Sequence, residues 1–144
     1  MRCRTRDRSE RGASAVEFAL VVPFLILLII GMVNFGVVLS QQLSLSNAAR
    51  QAARFAVVAG PTCTDVETQA RNALGAPGMP ASGPAIVING GGCPTPCAGS
   101  AARVDQNVAV ELNYTSTWVV PFPIPGFGSG INLQGRGTFR CEFS

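Results

Sequence analysis

Few residues in this chain could do chemistry, and they fall into two groups. One is a single acid, Glu17, after which no charged side chain occurs from Phe18 to Ala49. The other is a set of four cysteines, Cys63, Cys93, Cys97 and Cys141, with a fifth, Cys3, near the N-terminus. There is no His, and the acids beyond Glu17 are only Asp65, Glu67, Asp105, Glu111 and Glu142. These do not assemble into a nucleophile–base set, a phosphate-cradling loop or a metal cluster. The composition therefore argues against an enzyme, and no cofactor is expected. The cysteines, as C-x3-C plus two distant singles, depart from the paired C-x2-C spacing of zinc ligands, and no His is present to complete a site. An even number of Cys in a small exported domain instead reads as two disulfides.

Glu17 is informative because of where it stands. A carboxylate at the bilayer centre costs about 3 kcal/mol, and less near the edge. Such a group ordinarily has a partner or lies at headgroup level. The bland reading is a headgroup-level acid at the start of an ordinary anchor.

The elements that position these groups follow from patterning. The apolar run that begins at Phe18 exceeds the roughly 20 residues needed to cross a bilayer as a helix. Residues 1–12 carry five Arg against Asp7 and Glu10, and that +3 is the net charge of the whole chain. The basic excess thus lies wholly before the apolar run. This is the positive-inside pattern, with the N-terminus cytoplasmic and the C-terminal part exported. The later part of the chain has no basic patch, which disfavours nucleic acid as a partner. The helix is expected to start near Ala13. Pro23 should kink it, because proline lacks a backbone donor and crowds the preceding turn. Gly31 and Gly36 would allow a neighbouring helix to approach closely, or simply reflect the frequency of Gly in membrane helices.

Past Ser40 the helix continues as a stalk. Leu45, Ala48, Ala52, Phe55 and Ala59 recur at helical spacing as an apolar seam, and Gly60-Pro61 ends it. The remainder predicts a short helix over Asp65–Leu74, capped by Thr64 or Asp65 and stopped by Gly75. Three strands follow, at Ala85–Asn89, Val104–Val120 and Ile131–Phe143. The second alternates at Val108, Val110, Leu112 and Tyr114. The fold class is α+β: a long N-terminal transmembrane helix continuing into a small extracytoplasmic domain with a short helix and a roughly three-stranded antiparallel sheet. The divisions are a cytoplasmic leader at 1–12, the transmembrane and stalk helix at 13–60, and an extracytoplasmic head at 61–144.

Counting directions, the first helix runs away from the membrane and the short helix returns. The strands then run up, down and up. All four head cysteines fall at the membrane-distal end. The Pro-rich loop Pro121–Gly130, with Trp118 beside it, falls at the proximal end. Trp favours the membrane–water boundary, so this loop would meet headgroups or a neighbouring subunit. Alternatively it is a hairpin connection with Phe122 and Phe127 in the core. Three disulfide connectivities are open. Cys63–Cys93 with Cys97–Cys141 is favoured, because each bridge ties two separate elements, whereas Cys93–Cys97 would constrain little.

The stretch G-A-S-A-V-E-F-A-L (Gly12–Leu20), after a basic leader and before an apolar run, resembles the class III, type IV pilin-like signal. More closely, R-G-A-S-A-V-E-F-A-L-V-V-P-F-L-I-L-L-I-I-G-M-V-N-F-G (Arg11–Gly36) resembles the TadE-like family of tight-adherence (Tad, or Flp) pilus systems. So do A-A-R-Q-A-A-R (Ala48–Arg54) and T-F-R-C-E (Thr138–Glu142). TadE-, TadF- and TadG-like members share the N-terminal pattern.

The resemblance implies cleavage by the prepilin peptidase between Gly12 and Ala13, leaving Glu17 fifth in the mature chain. The new α-amine on Ala13 would then lie one helical turn from Glu17, a natural partner in the same or an adjacent subunit. The implied function is a minor pseudopilin acting in assembly of a tight-adherence pilus. The implied partners are the prepilin peptidase, other pilins or pseudopilins, inner-membrane pilus-assembly proteins and the lipid bilayer. The implied location is the cell membrane, single-pass, and in association with the pilus. The competing reading is a membrane-anchored extracytoplasmic adhesion module with an uncleaved signal anchor.

Overall fold

The computed structural model describes residues 7–58, 62–80, 82–91, 107–121, 126 and 128–141, and of residues 7–11 the backbone alone. Its fold is α+β: one long helix, one short helix and a three-stranded antiparallel sheet.

Helix α1 (Asp7–Ala56) is 50 residues long, or about 75 Å at 1.5 Å per residue. It begins six residues before the expected Ala13. No Pro lies between Asp7 and Gly12, and a nucleated helix propagates readily into residues that do not break it. The helix is continuous through Pro23. Its first half is exposed on every side, with Phe18, Leu20, Phe24, Met32 and Phe35 all bare. A helix that is apolar all round needs lipid or other helices about it. Among the described residues this is the one helix long and apolar enough to cross a membrane, which suggests a single-pass anchor.

The second half of α1 packs on the sheet. Leu45, Ala48, Ala49, Ala52, Ala53 and Ala56 are fully buried. The seam therefore follows two i,i+4 rows, 45-49-53 and 48-52-56. Phe55, expected on it, is 38% exposed. The sheet comes too close for an aromatic ring, so small residues occupy the contact and Phe55 lies beside it. The helix ends at Ala56, where Val58 N–H turns back to Phe55 O at 3.2 Å. Ala59, Gly60 and Pro61 lie outside the described residues.

Helix α2 (Cys63–Asn72) starts two residues before the expected Asp65. Its cap is Thr62 rather than Thr64 or Asp65: Thr62 Oγ1 accepts from Asp65 N, and Asp65 Oδ2 accepts from Thr62 N at 2.8 Å. This reciprocal box satisfies donors that a helix N-terminus otherwise leaves open. Val66 and Ala70 carry its buried face onto α1.

Strands β1 (Ala85–Ile88), β2 (Asn107–Thr117) and β3 (Gly130–Arg140) lie in the order β1-β2-β3, all antiparallel. β1 stops before Asn89, which takes a positive φ of 48° and is followed by Gly90 at 74°. The Asn89 Oδ1 atom there accepts from Ala109 N at 2.8 Å. The expected alternation in β2 holds, with Val108, Val110 and Leu112 buried and Tyr114 packed against them. β2 ends at Thr117, three residues short of Val120. Val104 and its neighbours, like Glu142 and Phe143 beyond β3, lie outside the described residues.

β3 turns Leu133, Gly135 and Gly137 toward α1. A Cβ on Gly135 would lie 2.5 Å from the Leu45 carbonyl, and one on Gly137 would lie 2.5 Å from the carbonyl carbon of Ala49. The two glycines are what let backbone meet backbone here. The outer face of the sheet is polar. It carries the cross-strand pair Arg136–Glu111 (3.2 Å) and the Thr115 Oγ1 to Asn132 Oδ1 hydrogen bond (2.8 Å).

Candidate assembly and anchoring site

The structure places Gly12, Ala13 and Glu17 together on the exposed part of α1. Residues 13 and 17 are four apart, so they share a helix face. Pro23 follows on the same bare segment, and a side chain added at Gly31 or Gly36 would meet nothing within 4 Å. This half of the helix is therefore open to lipid or to a neighbouring helix along its whole length.

Where the bare segment ends, α1 grips the rest of the chain through polar side chains that sequence reasoning missed. Asn34 is 2% exposed, although it lies inside the apolar run. Its Nδ2 donates to Val120 O at 2.9 Å, and its Oδ1 accepts from Val120 N at 3.1 Å. The amide thus acts as a length of backbone, closing both hydrogen bonds of a residue just past β2. Two turns on, Gln41 Nε2 donates to Pro77 O at 3.2 Å, and Gln42 Nε2 donates to Gln134 O at 2.7 Å. Ser44 Oγ accepts from Gly75 N at 3.1 Å. Four polar side chains thereby fix the segment after β2, the connection from α2 to β1, and β3 to one helix. The only signal in the sequence was an isolated amide two turns before another on the same face.

This clamp also fixes the end at which each candidate group lies. Trp118, beside Val120, sits at the end of the sheet nearest the bare half of α1. Its backbone N–H donates to Ser129 O at 3.3 Å, and its indole Nε1 donates to Gly128 O at 3.1 Å. Cys63 and Cys141 lie at the other end. Cys141 is 3% exposed in the same core as Ala56, and Cys63 packs against that core. Cys93, Cys97, Phe122 and Phe127 lie outside the described residues.

Among the described residues, one titrating group is displaced by its surroundings. Hydrogen bonds from the Thr62 side chain, and then from its backbone, hold the Asp65 carboxyl below its ordinary range.

The family model described as TadE-like protein matches residues 12–54. Over this stretch the chain is similar to that family. The TadE-like segment opens at Gly12 and closes two residues before α1 ends. It therefore contains Glu17, Pro23, the Asn34 clamp, Gln41, Gln42, Ser44 and the seam as far as Ala53. The TadE-like match covers the helix and not the sheet that the helix organises. No curated protein and no solved structure matches the chain.

Proposed function

We propose that this protein is a minor pseudopilin that acts in assembly of a tight-adherence (Flp-type) pilus, after the prepilin peptidase removes residues 1–12. The TadE-like family suggests a protein associated with the Tad pilus. The observation that carries the finer reading is that the TadE-like match opens at Gly12, with Ala13 and Glu17 on a helix whose sides are bare. Cleavage creates an ammonium on Ala13, one turn from Glu17. The pair neutralises itself within one subunit or between two, which removes the penalty for a lone carboxylate at the edge of the bilayer. Subunits that register side by side along the bare helix gain packing where Gly31 and Gly36 leave room.

In this reading the N-terminus is cytoplasmic, as the Arg-rich leader directs, and the sheet lies outside. Bridges pairing Cys63 with Cys93 and Cys97 with Cys141 close the distal end of the head. Partners are the peptidase, other pilins or pseudopilins and the inner-membrane assembly proteins.

The test is the intact mass and N-terminal sequence of the protein from its own membranes, with and without the prepilin peptidase. A peptidase-dependent start at Ala13 is expected. A chain that keeps residues 1–12 in both strains would replace this reading with an anchored adhesion module.

A further inference from the structure

We propose that the foot of the head, formed by Trp118, Val119, Val120 and Ile131, is seated in the far leaflet of the bilayer rather than standing above it. The argument begins with length. Glu17 is the last charge before the apolar run, so the hydrocarbon begins no earlier than Phe18. From Phe18 to Asn34 is 16 residues, or about 24 Å of helix. The hydrocarbon is about 30 Å thick, and any tilt of the helix shortens the reach. Asn34 therefore lies inside the far boundary, and its two hydrogen bonds bring Val120 to the same depth.

Non-helical backbone survives at that depth only if its polar groups are satisfied within the protein. Four polar groups of this foot are satisfied in that way. Asn34 takes both backbone groups of Val120, Trp118 N–H is held by Ser129 O, and the indole N–H is held by Gly128 O. Pro121, next in the chain, has no N–H to satisfy. The outward surface is apolar: Val119 is 59% exposed and Ile131 43%, and Phe35, next to Asn34 in sequence, is 68% exposed. No charged side chain occurs between Trp118 and Gly128. A buried amide clamp, an internally bonded indole and an exposed apolar rim, continuous with the bare helix, fit acyl chains just below the headgroups.

The inference rests on α1 spanning a bilayer but not on cleavage or pilus assembly, so the N-terminal test above is independent of it. Trp118 is the single Trp of the chain and serves as its own depth probe. The full-length protein is reconstituted into phosphatidylcholine vesicles carrying a spin-label quencher either near the headgroup end or near the terminus of the acyl chain. The expected result is a roughly two-fold loss of Trp emission with the shallow label, a smaller loss with the deep one, and no change when the protein is diluted in lipid.

Emission unaffected by either label, in protein that remains with the vesicles after alkaline washing, would overturn the proposal. Quenching that depends on protein density would overturn it in favour of a second copy on the foot. Protein washed off the vesicles would overturn it together with the spanning helix.

Discussion

Gly135 lies directly against the backbone of Leu45, so close that a Cβ on it would stand 2.5 Å from the Leu45 carbonyl. One residue pair further along, Gly137 meets Ala49 and Arg50 in the same way. These are backbone contacts, which cannot be relieved by turning a side chain. Gly135→Ala and Gly137→Ala should each destabilise the fold by about 3 kcal/mol or more, at the upper end of overpacking costs. Gly75→Ala, with nothing within 4 Å of its Cβ position, should be near neutral. Thermal melts of the three variants in detergent check this, and equal melting temperatures would remove the close-approach argument.

The Asn34 clamp makes a separate prediction. Asn34→Ala leaves Val120 N–H and C=O without their partner, at a cost of about 1–3 kcal/mol for each buried group. Hydrogen exchange reads it residue by residue. The amide of Val120 should lose its protection, while Val110 and Leu112 in the middle of β2 keep theirs. Unchanged exchange at Val120 would mean the hydrogen bonds of 2.9 and 3.1 Å do not persist in solution.

These two features mark where the sequence stopped being informative. Val108, Val110 and Leu112 could be read directly, because apolar residues at a period of two place one face of a strand against a core. The directions of the five main elements followed from their order. The exposed anchor helix was equally legible from its length and lack of charge.

Asn34 was not legible, because its partner is 86 positions away and an amide in an apolar run carries no mark of what it binds. Gly135 and Gly137 weaken a strand on propensity alone, and only the approach of α1 gives them a purpose. Phe55 was assigned to the seam because hydrophobicity does not encode how near the opposing sheet will come. The cap of α2 went to Thr62 rather than Thr64 because Asp65, three residues on, returns the hydrogen bond. At the candidate site, Gly12 and Glu17 were singled out by the resemblance of Gly12–Leu20 to a pilin-like signal, and their roles belong to the proposal above. The polar grips at Gln41, Gln42 and Ser44 were not legible, since each binds a backbone group that has no signature of its own.

The box between Thr62 and Asp65 should show in acid. Its carboxyl titrates lower when folded than the ordinary value of 3.8. Its contribution is therefore present above that ordinary value and is lost as pH falls through the lower folded one. Thr62→Ala should lower stability at neutral pH and flatten the acid limb of the melting curve. Melts from neutral pH down to strong acid test it. A Thr62→Ala protein with an acid limb as steep as the parent's would assign that limb to other carboxylates.

Glu17→Gln separates assembly from folding. Glu17 is exposed and far from the sheet, so the variant should melt within about 0.5 kcal/mol of the parent. Pilus assembly in cells should nevertheless be lost. Normal piliation with the Gln variant would sink the proposed pairing with the Ala13 ammonium.

The core shared between α1 and the sheet has a practical consequence. Leu45, Ala48, Ala49, Ala52, Ala53 and Ala56 are buried in one cluster with Val66, Ile88, Val110 and Leu112. Residues 61–144 therefore hold only one side of their own interior. Expressed alone, they would show β3 and its glycines bare to water and would aggregate. A soluble version of this protein has to begin near Ser40, inside the helix, and carry the seam with it. The length of helix left in the membrane and the length built into the fold are set by one uninterrupted element. A deletion or insertion between Phe18 and Val33, before the Asn34 clamp, would raise, lower or rotate the entire sheet about the helix axis.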